Sequence, residues 1–529
     1  MESCPLIIRG QGVSILCLKS FLDWYRERGF RADRPWLVFG KGPSFAKRTT
    51  IDPAAFYTLG LNHAVREQRV LVAHMVDLDV VDQCGPALES NAEMVLLPWV
   101  PHVRNRAGSE NLEQLVASHP VLRRLEAQER LLWYNLCTAP AHRDGSPVVE
   151  VRFFSSEAAL RLLALAGVEH IRSLGIDGGA SYSKEFTDLT QTTLLANTRS
   201  SFDRQFEAIA RIIMTTGVDY APLDVESPIR VYVAATDAQM LAVKVLEYSI
   251  RKHASMSVEV SSLHLAGIDI PTPRDAANLP RTPFSFQRFL IPAVKGRTGR
   301  AIYLDSDMQV FKDIRELWTV PFNGSDLLTV REPVESGRKP QFSVMLLDCE
   351  ALKWNIADIV AGLDKKAFTY EQLMGDMCAA KRIGTTIDPA WNSLEHYAAG
   401  KTALVHYTDM PTQPWVYSSN PLGYLWVRDL LEAVAAGLIS IDFVRDHVAR
   451  GFVRPSLLYQ LEHRLDDGLL LPKTARALDN GFVAPYHALP SGRSPLRRAV
   501  AWLRAATRRA YQRTPLFTLE QRVRERLNR

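Results

Sequence analysis

The sequence is poor in cysteine and has no long apolar run. Its six cysteines are spread over 529 residues, and no two of them form a Cys-x-x-Cys pair. This pattern argues against a disulfide framework or a zinc site and fits buried, reduced thiols. No apolar stretch approaches the ~18 residues that a membrane span needs, and the N-terminus has no secretory pattern. We therefore expect a cytoplasmic protein.

The net positive charge of the chain is confined to one segment. Of the net charge of +5, residues 491–529 contribute +9 through eleven arginines and two glutamates, so the other 490 residues sum to −4. This distribution argues against a nucleic-acid-binding protein. We expect the 491–529 tail to form a basic amphipathic helix. It either contacts the anionic inner face of a membrane, as a peripheral anchor, or packs on the protein with a solvated polar face.

Internal repeats and low-complexity segments are absent as well. A chain of 529 residues exceeds one ordinary core, so two or three domains are expected. Short apolar runs such as 36–39, 56–62 and 70–77 end in polar residues and alternate with helical patterns. This order is typical of α/β proteins with a doubly wound parallel sheet. A new apolar strand at 229 opens a second α/β domain.

The pair Asp305 and Asp307 carries the clearest chemical signal. The apolar run 301–304 leads directly into these two carboxylates. Side chains two residues apart in a strand point the same way, so both carboxylates can converge on one point. Oxygen ligands of this kind suit magnesium or manganese, and such an ion can hold the phosphates of a nucleotide. Two alternatives stay open: a solvated turn, and a haloacid-dehalogenase-type phosphatase, which also places Asp-x-Asp after a strand.

A glycine-rich turn follows the run 36–39, where the sequence reads Gly40-Lys41-Gly42-Pro43-Ser44. Glycines at this place let the backbone turn tightly and present N–H groups to an anion. The spacing matches neither a Walker loop nor Gly-x-Gly-x-x-Gly. On its own, the turn is equally compatible with a generic connection from strand to helix.

Four stretches together, FGKGPSF, TLGLN, VDLDV and GIDGGASY, resemble the sialyltransferase-like domain of bacterial glycosyltransferases and motility-accessory flagellin glycosyltransferases. The resemblance covers residues 35–200 and implies a nucleotide pocket. The residues implied to line it are Gly40, Gly42, Pro43, Ser44 and Asn62, with Asp177 across from them. His63 and His74 are candidate bases, although a structural role is the favoured interpretation for both.

Residues 229–425 resemble glycosyltransferase family eight, the group of glycogenin and the bacterial lipopolysaccharide galactosyl- and glucosyltransferases. The resemblance rests on the stretches VYVAATD, RFLIP, GRAIYLDSDMQVFKDIRELW, EQ, WN and VHYTDMPTQPW in this order. It implies a GT-A type fold and a metal-dependent, retaining transfer from a nucleotide sugar. By resemblance, a manganese (or magnesium) ion is held by Asp305, Asp307 and His406.

The family resemblance also assigns roles around the nucleotide sugar. The residues implied to contact it are Ala234, Thr236, Asp237, Arg288, Gln341, Gln413 and Trp415. The first three would cup the base and ribose, and Arg288 would meet the diphosphate or hold Asp305. Glu371 and Gln372 match the acidic–Gln pair near the anomeric carbon, so the resemblance makes them the catalytic residues.

Four departures from the family pattern affect these expectations. Asp409 stands where a glycine is usual, one extra residue follows it, and Gln413 replaces a lysine that touches the diphosphate. Because glutamine is neutral, we expect weaker phosphate binding or the use of another cation such as Lys401. Gln341 begins the triplet Gln-Phe-Ser, which replaces the usual Asn-Ser-Gly, and can still hydrogen-bond a sugar hydroxyl.

The predicted fold class is therefore α/β with two Rossmann-like modules and a helical basic tail. The predicted domains are an N-terminal extension (1–34), a sialyltransferase-like domain (35–200), a helix and linker (201–228), a GT-A type nucleotide-diphospho-sugar transferase domain (229–430), a helical or loop extension (431–490) and the tail (491–529). The predicted activity transfers a hexose from a UDP-sugar to a surface glycan or a lipopolysaccharide-type, lipid-linked acceptor. For the N-terminal domain two alternatives remain: a second glycosyltransferase, or a non-catalytic binding module.

Overall fold

The chain divides into two compact units. The computed structural model describes residues 6–8, 13–15, 18–152, 154–189, 201–332 and 340–485. The first unit comprises residues 1–227 with 255–257, and the second comprises 228–254 with 258–529. The tail predicted at 491–529 lies outside the described residues. Within the described part of the chain, no helix combines the length and the apolar character that a membrane span requires.

The first unit is built on a parallel sheet. Its strands in chain order are β1 (Leu6–Ile8), β2 (Val13–Ile15), β3 (Lys19–Ser20), β4 (Trp36–Phe39), β5 (Tyr57–Leu61), β6 (Val70–His74), β7 (Ala92–Pro98), β8 (His102–Val103), β9 (Arg106–Ala107), β10 (Leu131–Leu136), β11 (Val148–Val149), β12 (His170–Leu174) and β13 (Asp219–Pro222). The sheet order is β11-β10-β7-β6-β5-β4-β12-β13, with β3 beside β10. Strands β1 and β2, and β8 and β9, form separate antiparallel pairs.

Helices cover both faces of this sheet, as an all-parallel sheet requires. They are α1 (Phe21–Arg28), α2 (Leu78–Asn91), α3 (Leu112–Ser118), α4 (Pro120–Ala127), α5 (Ser155–Leu165) and α6 (Gln205–Thr216). All four residues of β4 are buried. Leu37 and Phe39 belong to one apolar cluster and Trp36 and Val38 to another, because successive side chains of a strand point to opposite faces.

Two segments differ from the expected domain plan. The predicted linker before 228 contains β13, which pairs with β12 at the edge of the sheet and buries Tyr220 and Ala221. The predicted N-terminal extension contributes β3 and α1 to the first unit. Helix α1 begins at Phe21, because the Ser20 hydroxyl caps it by accepting the Asp23 amide at 3.1 Å.

The second unit contains a mixed sheet and a smaller one. Its strands are β14 (Ile229–Ala234), β15 (Val258–Ser262), β16 (Arg300–Asp305), β17 (Met308–Val310), β18 (Leu327–Val330), β19 (Val344–Asp348), β20 (Ile383–Ile387), β21 (Ser393–Leu394) and β22 (Leu404–His406). The six-stranded sheet has the order β15-β14-β16-β19-β18-β20, and the three-stranded sheet has the order β17-β22-β21. Strand β14 runs parallel to β15 and β16, whereas β19 is antiparallel to β16 and β18.

Helices complete the second unit. They are α7 (Met240–His253), α8 (Ile291–Val294), α9 (Arg315–Trp318), α10 (Ile356–Asp364), α11 (Tyr370–Gly375), α12 (Gly423–Ala435), α13 (Ile441–Ala449), α14 (Ser456–Glu462) and α15 (Lys473–Ala477). The predicted boundary at 430 falls inside α12, whose Trp426 is fully buried against Trp415. Residues 431–485 are therefore part of the second unit and do not form an appendage.

Candidate metal and nucleotide-sugar site

The end of β16 positions the two candidate carboxylates. Ala301 to Leu304 are fully buried, and the strand ends at the partly exposed Asp305. Asp307 follows two residues later, just before β17. The strand is central in its sheet, with β14 on one side and β19 on the other. Polar side chains at the end of such a buried strand lie where open α/β sheets bind ligands.

His406 reaches the same point through the pairing of β17 with β22. In this antiparallel pair Met308 lies opposite His406, and the Tyr407 amide donates to the Asp307 carbonyl at 2.8 Å. Ligand atoms of Asp305, Asp307 and His406 all lie within 4.8 Å of one another. Two atoms bound to one small divalent ion at about 2.1 Å lie up to ~4.2 Å apart. Small side-chain shifts therefore suffice for all three to share an ion.

The imidazole of His406 is oriented by two neighbours. Its Nε2 lies 3.1 Å from Asp307 Oδ1, and its Nδ1 lies 3.0 Å from Asn392 Oδ1. A proton on Nδ1 that is donated to Asn392 leaves the Nε2 lone pair directed at the carboxylates, as metal ligation requires. Burial opposes the charged ring, but Asp307, Asp305 and Glu395 outweigh this effect and raise the pKa of His406 above its ordinary value. The site is therefore strongly anionic and attracts a cation.

Asp305 is held from the other side by two residues. The Tyr303 hydroxyl donates to Asp305 Oδ1, and burial raises the pKa of that phenol well above its usual value, which keeps it a donor. Arg288 Nη2 lies 3.4 Å from the same oxygen, and Arg288 Nη1 donates to the Phe342 carbonyl at 2.8 Å. Of the two roles expected for Arg288, the structure places it in contact with Asp305.

Gln413 and Trp415 occupy positions that differ from the expectation. The Gln413 amide donates to Asp307 Oδ2 at 3.0 Å and to the Tyr407 carbonyl at 2.8 Å, so it orients a carboxylate of the cluster. Trp415, expected to contact the nucleotide sugar, is 1% exposed and packs on Tyr407 and Trp426. A ring buried to this extent supports the loop, and its predicted contact with the nucleotide sugar stays a prediction.

Asp409, which replaces the family's glycine, causes no backbone strain. Its φ is −86°, a value open to any residue, so this position does not need glycine. Its carboxylate accepts the Thr412 hydroxyl at 2.9 Å, and its amide donates to Glu395 Oε1 at 2.9 Å. The buried Glu395 thereby ties this loop to the strand next to His406. Lys401, the alternative cation, is exposed.

The residues expected around the base and ribose lie at the end of β14. Ala234 is fully buried and pairs with Asp305 across the two parallel strands. Thr236 caps the short 3₁₀ turn Asp237–Gln239. Asp237 is exposed and lies 3.3 Å from His264 Nε2. The ends of β14 and β16 are therefore adjacent, which puts Thr236 and Asp237 on the same sheet edge as the carboxylates.

Among the contacts of the described residues, none joins the remaining predicted site residues to the cluster. Glu371 is exposed and forms an ion pair with Arg281. Gln372 caps α11: its side chain accepts the Thr369 amide at 2.9 Å. Both residues thus have local roles that the first turn of a helix favours, and their assignment as catalytic residues stays a prediction. The Gln341 carbonyl accepts the Thr329 hydroxyl at 3.1 Å.

In the first unit, a cavity of about 280 Å³ lies at the carboxyl ends of the parallel strands. Gly40, Gly42, Asn62 and Asp177 line it. Pro43 and Ser44 are not among its lining residues. The Ser44 amide and hydroxyl both donate to the Asp177 carboxylate, the amide at 2.6 Å, and so fix one side of the cavity.

Neither candidate histidine of this unit is placed as a base. His63 is buried beside Gln83, with 2.6 Å between Nε2 and Oε1, and burial lowers its pKa to about 4. His74 is fully buried 2.9 Å from the Tyr134 hydroxyl, and burial lowers its pKa to about 3. These contacts match the structural role favoured from the sequence.

Sequence reasoning missed the residues that orient the cluster. They are Tyr303, Asn392, Glu395 and Arg454, the last of which donates to the Pro414 carbonyl next to Gln413 at 3.0 Å. For Tyr303 a signal was present, because it lies two residues before Asp305 and shares its side of the strand. Asn392 belongs to the Trp-Asn pair that the family resemblance contained. For Glu395 and Arg454 no local pattern existed, since each reaches the site through a long-range hydrogen bond.

Comparison with known proteins places one segment in a family. Residues 274–358, which include Arg288, Asp305 and Asp307, match the model of Glycosyl transferase family 8. A curated relative, Protein CDI of Arabidopsis thaliana, is 34% identical over 97 residues, 17% of this chain. The chain spans only about a third, 36%, of that relative's length.

Three solved structures are similar at a low level. The galactosyltransferase LgtC in complex with donor and acceptor sugar analogues is 13% identical, with 35% of this chain and 89% of that chain covered and a TM-score of 0.25. The bifunctional glycosyltransferase WbbM in its apo form is 11% identical, with 75% and 97% covered and a TM-score of 0.30. Mouse xyloside xylosyltransferase 1 is 13% identical, with 35% and 98% covered and a TM-score of 0.25. TM-scores this low carry no weight for function.

The family match thus coincides with the strand that delivers the paired carboxylates. The sialyltransferase-like resemblance of residues 35–200 is not confirmed by these matches and stays a prediction. The match of residues 274–358 to the glycosyltransferase family 8 model supports a transferase enzyme of the glycosyltransferase kind.

Proposed function

We propose that the second unit is a metal-dependent, retaining glycosyltransferase. It moves a hexose from a UDP-sugar to a surface glycan or a lipopolysaccharide-type, lipid-linked acceptor. The observation that carries the proposal is the convergence of Asp305, Asp307 and His406 within 4.8 Å at the end of a buried strand of the family segment. Nucleotide sugars carry a diphosphate, and a divalent ion is the usual partner of such a group in an otherwise anionic site.

The donor set fits manganese, with magnesium as the alternative. Two carboxylates and one imidazole form a mixed oxygen and nitrogen set that manganese tolerates well. The hydrogen bond between His406 and Asn392 at 3.0 Å fixes the ring so that Nε2 is the ligand. A bound ion would supply charge neutralisation for the departing diphosphate.

The chain's own residues prepare this site for the donor. Tyr303 and Arg288 hold Asp305, and Gln413 holds Asp307, so both carboxylates are fixed before any ligand arrives. Thr236 and Asp237 would bind the nucleoside at the adjacent end of β14. With Gln413 engaged to Asp307, the family's lysine contact to the diphosphate has no counterpart at this position. We therefore expect phosphate affinity to depend more on the ion than in relatives that keep the lysine.

The test is the release of UDP from UDP-hexoses with manganese, with and without glycan acceptors. We expect turnover by the wild type, and its loss by about a hundredfold or more in the variant Asp305→Asn/Asp307→Asn, since positioned charges of this kind contribute that much. Asp348→Asn, a carboxylate at the end of β19 that caps a turn, is the matched control. Turnover that survives in the double variant contradicts the proposal. Phosphate release without any sugar acceptor would instead support the phosphatase alternative.

A second candidate function concerns the first unit. The cavity at the ends of its parallel strands favours a ligand site there, at the place where sheets of this kind bind nucleotides. The predicted sialyltransferase-like resemblance makes this a nucleotide pocket, either of a second glycosyltransferase or of a binding module. If the chain is bifunctional, the Asp305→Asn/Asp307→Asn variant keeps one of two transfers; a binding module leaves none.

The proposed membrane contact rests on charge alone. Residues 491–529 carry a net charge of +9, and each arginine near an anionic surface contributes about 1 kcal/mol of attraction. Removal of 491–529 should abolish sedimentation with anionic vesicles and leave turnover of a soluble acceptor intact. Unchanged sedimentation would contradict the proposed contact.

A further inference from the structure

The cavity of the first unit lies at the switch point of its sheet. Strands β4 and β12 are neighbours, and from them the strand order runs outward in both directions. The cavity of about 280 Å³ is lined by residues that follow five strands, among them Gly40, Asn62, Asp77, Thr138 and Gly175. Its volume is near the lower end of the range of about 300–1,000 Å³ for small-molecule sites. It is therefore large enough for a compact ligand.

Two glycine turns meet at the floor of this cavity. The Gly40 amide donates to the Leu174 carbonyl at 2.7 Å, and the Gly42 amide donates to the Gly175 carbonyl at 2.9 Å. A Cβ on Gly40 would lie 2.2 Å from the Gly175 carbonyl oxygen, and Gly175 has a φ of +80°. Only glycine permits so close an approach. In the turn Gly40-Lys41-Gly42, whose three residues all line the cavity, Lys41 is the residue with a side chain.

Lys41 carries a shielded charge that attracts Asp77 through space without a direct ion pair among the described residues. Its ammonium lies 4.8 Å from the centroid of the Tyr182 ring. Within the part of the chain that the structure describes, the ammonium makes no hydrogen bond and no ion pair. Burial lowers the pKa of Lys41 to about 8, so the group remains mostly charged at neutral pH. A charge that is shielded from water and has no ion-pair partner lowers the stability of a protein unless an anion binds next to it.

The side chain of Asn62 in the same cavity lacks one hydrogen-bond partner among the described residues. Asn62 adopts a φ of +51°, and its Nδ2 donates to the Ser155 hydroxyl at 3.3 Å. Its Oδ1 is buried and has no hydrogen-bond partner among the described residues. Buried polar atoms are rarely left in this state, and strained residues concentrate at functional sites. A ligand that donates a hydrogen bond would satisfy this oxygen.

The other walls are partly aromatic and partly polar. Tyr182 and Phe202 lie with their ring centroids 5.6 Å apart, and both line the cavity. On the polar side, His102 Nε2 lies 2.7 Å from the Thr138 hydroxyl, and Asp77 accepts the Asn105 amide at 2.9 Å. The walls thus offer a flat apolar surface and hydroxyl-binding groups beside the cationic side chains of Lys41 and Arg152.

We propose that Lys41 is the anchor of an anionic ligand in this cavity and that the ligand is a phosphate-bearing molecule with a hydroxylated organic part. This inference rests on the second candidate function, the ligand site of the first unit, and not on the transfer proposed for the second. The phosphate lies on the ammonium and on amides of the glycine turn, a donor hydroxyl meets Asn62 Oδ1, and the organic part lies against the aromatic rings. Lys41 occupies a position for which neither the sequence pattern nor the family match supplies a role.

The test measures binding to the full-length Asp305→Asn/Asp307→Asn variant in the presence of EDTA, so that the metal cluster of the second unit cannot contribute. The probes for calorimetric titration are inorganic phosphate, ribose 5-phosphate, CMP, UMP and the nucleoside cytidine. Lys41→Met in the same background removes the charge and keeps the side-chain length. Lys47→Met is the matched control, because Lys47 is exposed, pairs with Asp224 at 2.8 Å and does not line the cavity.

We expect the phosphate esters to bind and cytidine to bind about tenfold or more weakly, since hydrogen bonds to a charged group have roughly that strength. Lys41→Met should weaken the esters to the level of cytidine, while Lys47→Met leaves them unchanged. Equal binding of inorganic phosphate and the esters would support the anchor and overturn the organic part of the proposal. Ester binding that Lys41→Met does not change would overturn the anchor but keep the ligand site. The absence of binding by every probe at millimolar concentration would overturn both.

Discussion

Arg454 offers a test of how the candidate site is supported. It is 1% exposed and lies just before α14, in the segment that the sequence analysis treated as an extension. Its Nε donates to the Pro414 carbonyl at 3.0 Å and its Nη1 to the Ser456 hydroxyl at 2.5 Å, and its Nη2 donates to Gln460. It thereby fixes the loop whose Gln413 holds Asp307. The perturbation is Arg454→Met, which keeps an apolar side chain of similar length and removes all three bonds.

The expected loss in the free energy of unfolding of Arg454→Met is the difference between the lost hydrogen bonds and the relieved burial of the charge. Three hydrogen bonds from a charged donor contribute about 1.5–3 kcal/mol each, or roughly 4–9 kcal/mol. Burial lowers the pKa of Arg454 to about 10, which corresponds to about 3 kcal/mol against the charged form. The variant recovers this second term, so the net loss is about 3 kcal/mol. For a unit of this size, 1 kcal/mol shifts the unfolding temperature by about 2–4 °C, which gives a decrease of roughly 6–12 °C.

Scanning calorimetry measures this decrease, and manganese titration measures the effect on the site. If Arg454 positions the loop, manganese affinity should fall about tenfold, because Gln413 no longer orients Asp307 and such outer contacts have this influence. Arg445→Met is the control, since Arg445 is exposed on α13 and pairs only with Asp442 among the contacts described for its side chain. A variant that loses stability but binds manganese as the wild type does would show that Arg454 supports the fold alone, and would refute the reasoning.

Three further predictions follow from other contacts. Manganese at about a hundred times its dissociation constant should stabilise the wild type by about 2.7 kcal/mol in thermal unfolding, and the Asp305→Asn/Asp307→Asn variant should show no such rise; an equal rise contradicts the site. Lys41→Met should unfold at a higher temperature than the wild type at pH 7. Because the pKa of Lys41 in the folded protein is lowered to about 8, the unfolded chain binds more protons than the folded one from about pH 8 to 10.5, and wild-type stability rises in this window. The difference in unfolding temperature between variant and wild type should therefore close by pH 10. A constant difference would show that the charge is not the cause. Gln372→Ala tests the predicted catalytic role: turnover per folded molecule should fall if Gln372 acts on the substrate, whereas a loss of stability alone would show that it serves only the capping box of α11.

The convergence of Asp305 and Asp307 was predictable because its cause is local. An apolar strand that ends in two carboxylates one residue apart needs only the two-residue period of a strand to direct both to one side. The strand itself follows from four buried residues, Ala301 to Leu304. The alternating strands and helices of the first unit were predictable for the same reason, since a buried parallel strand reads as a short, continuous apolar run.

Roles transferred from a family pattern were less dependable, because burial and local contacts decide them. Trp415 stands at the expected position but is buried between Tyr407 and Trp426. Gln372 has the expected neighbour Glu371, yet its amide caps the helix that carries it. In each case the residue type permits two roles, and the sequence does not show which partner lies within reach. The short strand β13 was missed because Pro222 and the following acidic residues resemble a linker.

The residues that orient the cluster could not be predicted, because their contacts depend on long-range strand pairing. His406 meets Asp307 only because Met308 lies opposite His406 in the pair of β17 and β22, about a hundred residues apart in sequence. A shift of this pairing by one residue would turn the imidazole to the opposite face. Asn392 and Gln413 act on the cluster only after this register is set. The three candidate ligands are therefore necessary but not sufficient for a metal site, and variants that change only Asn392 or Gln413 should lower metal affinity although every ligand remains in place.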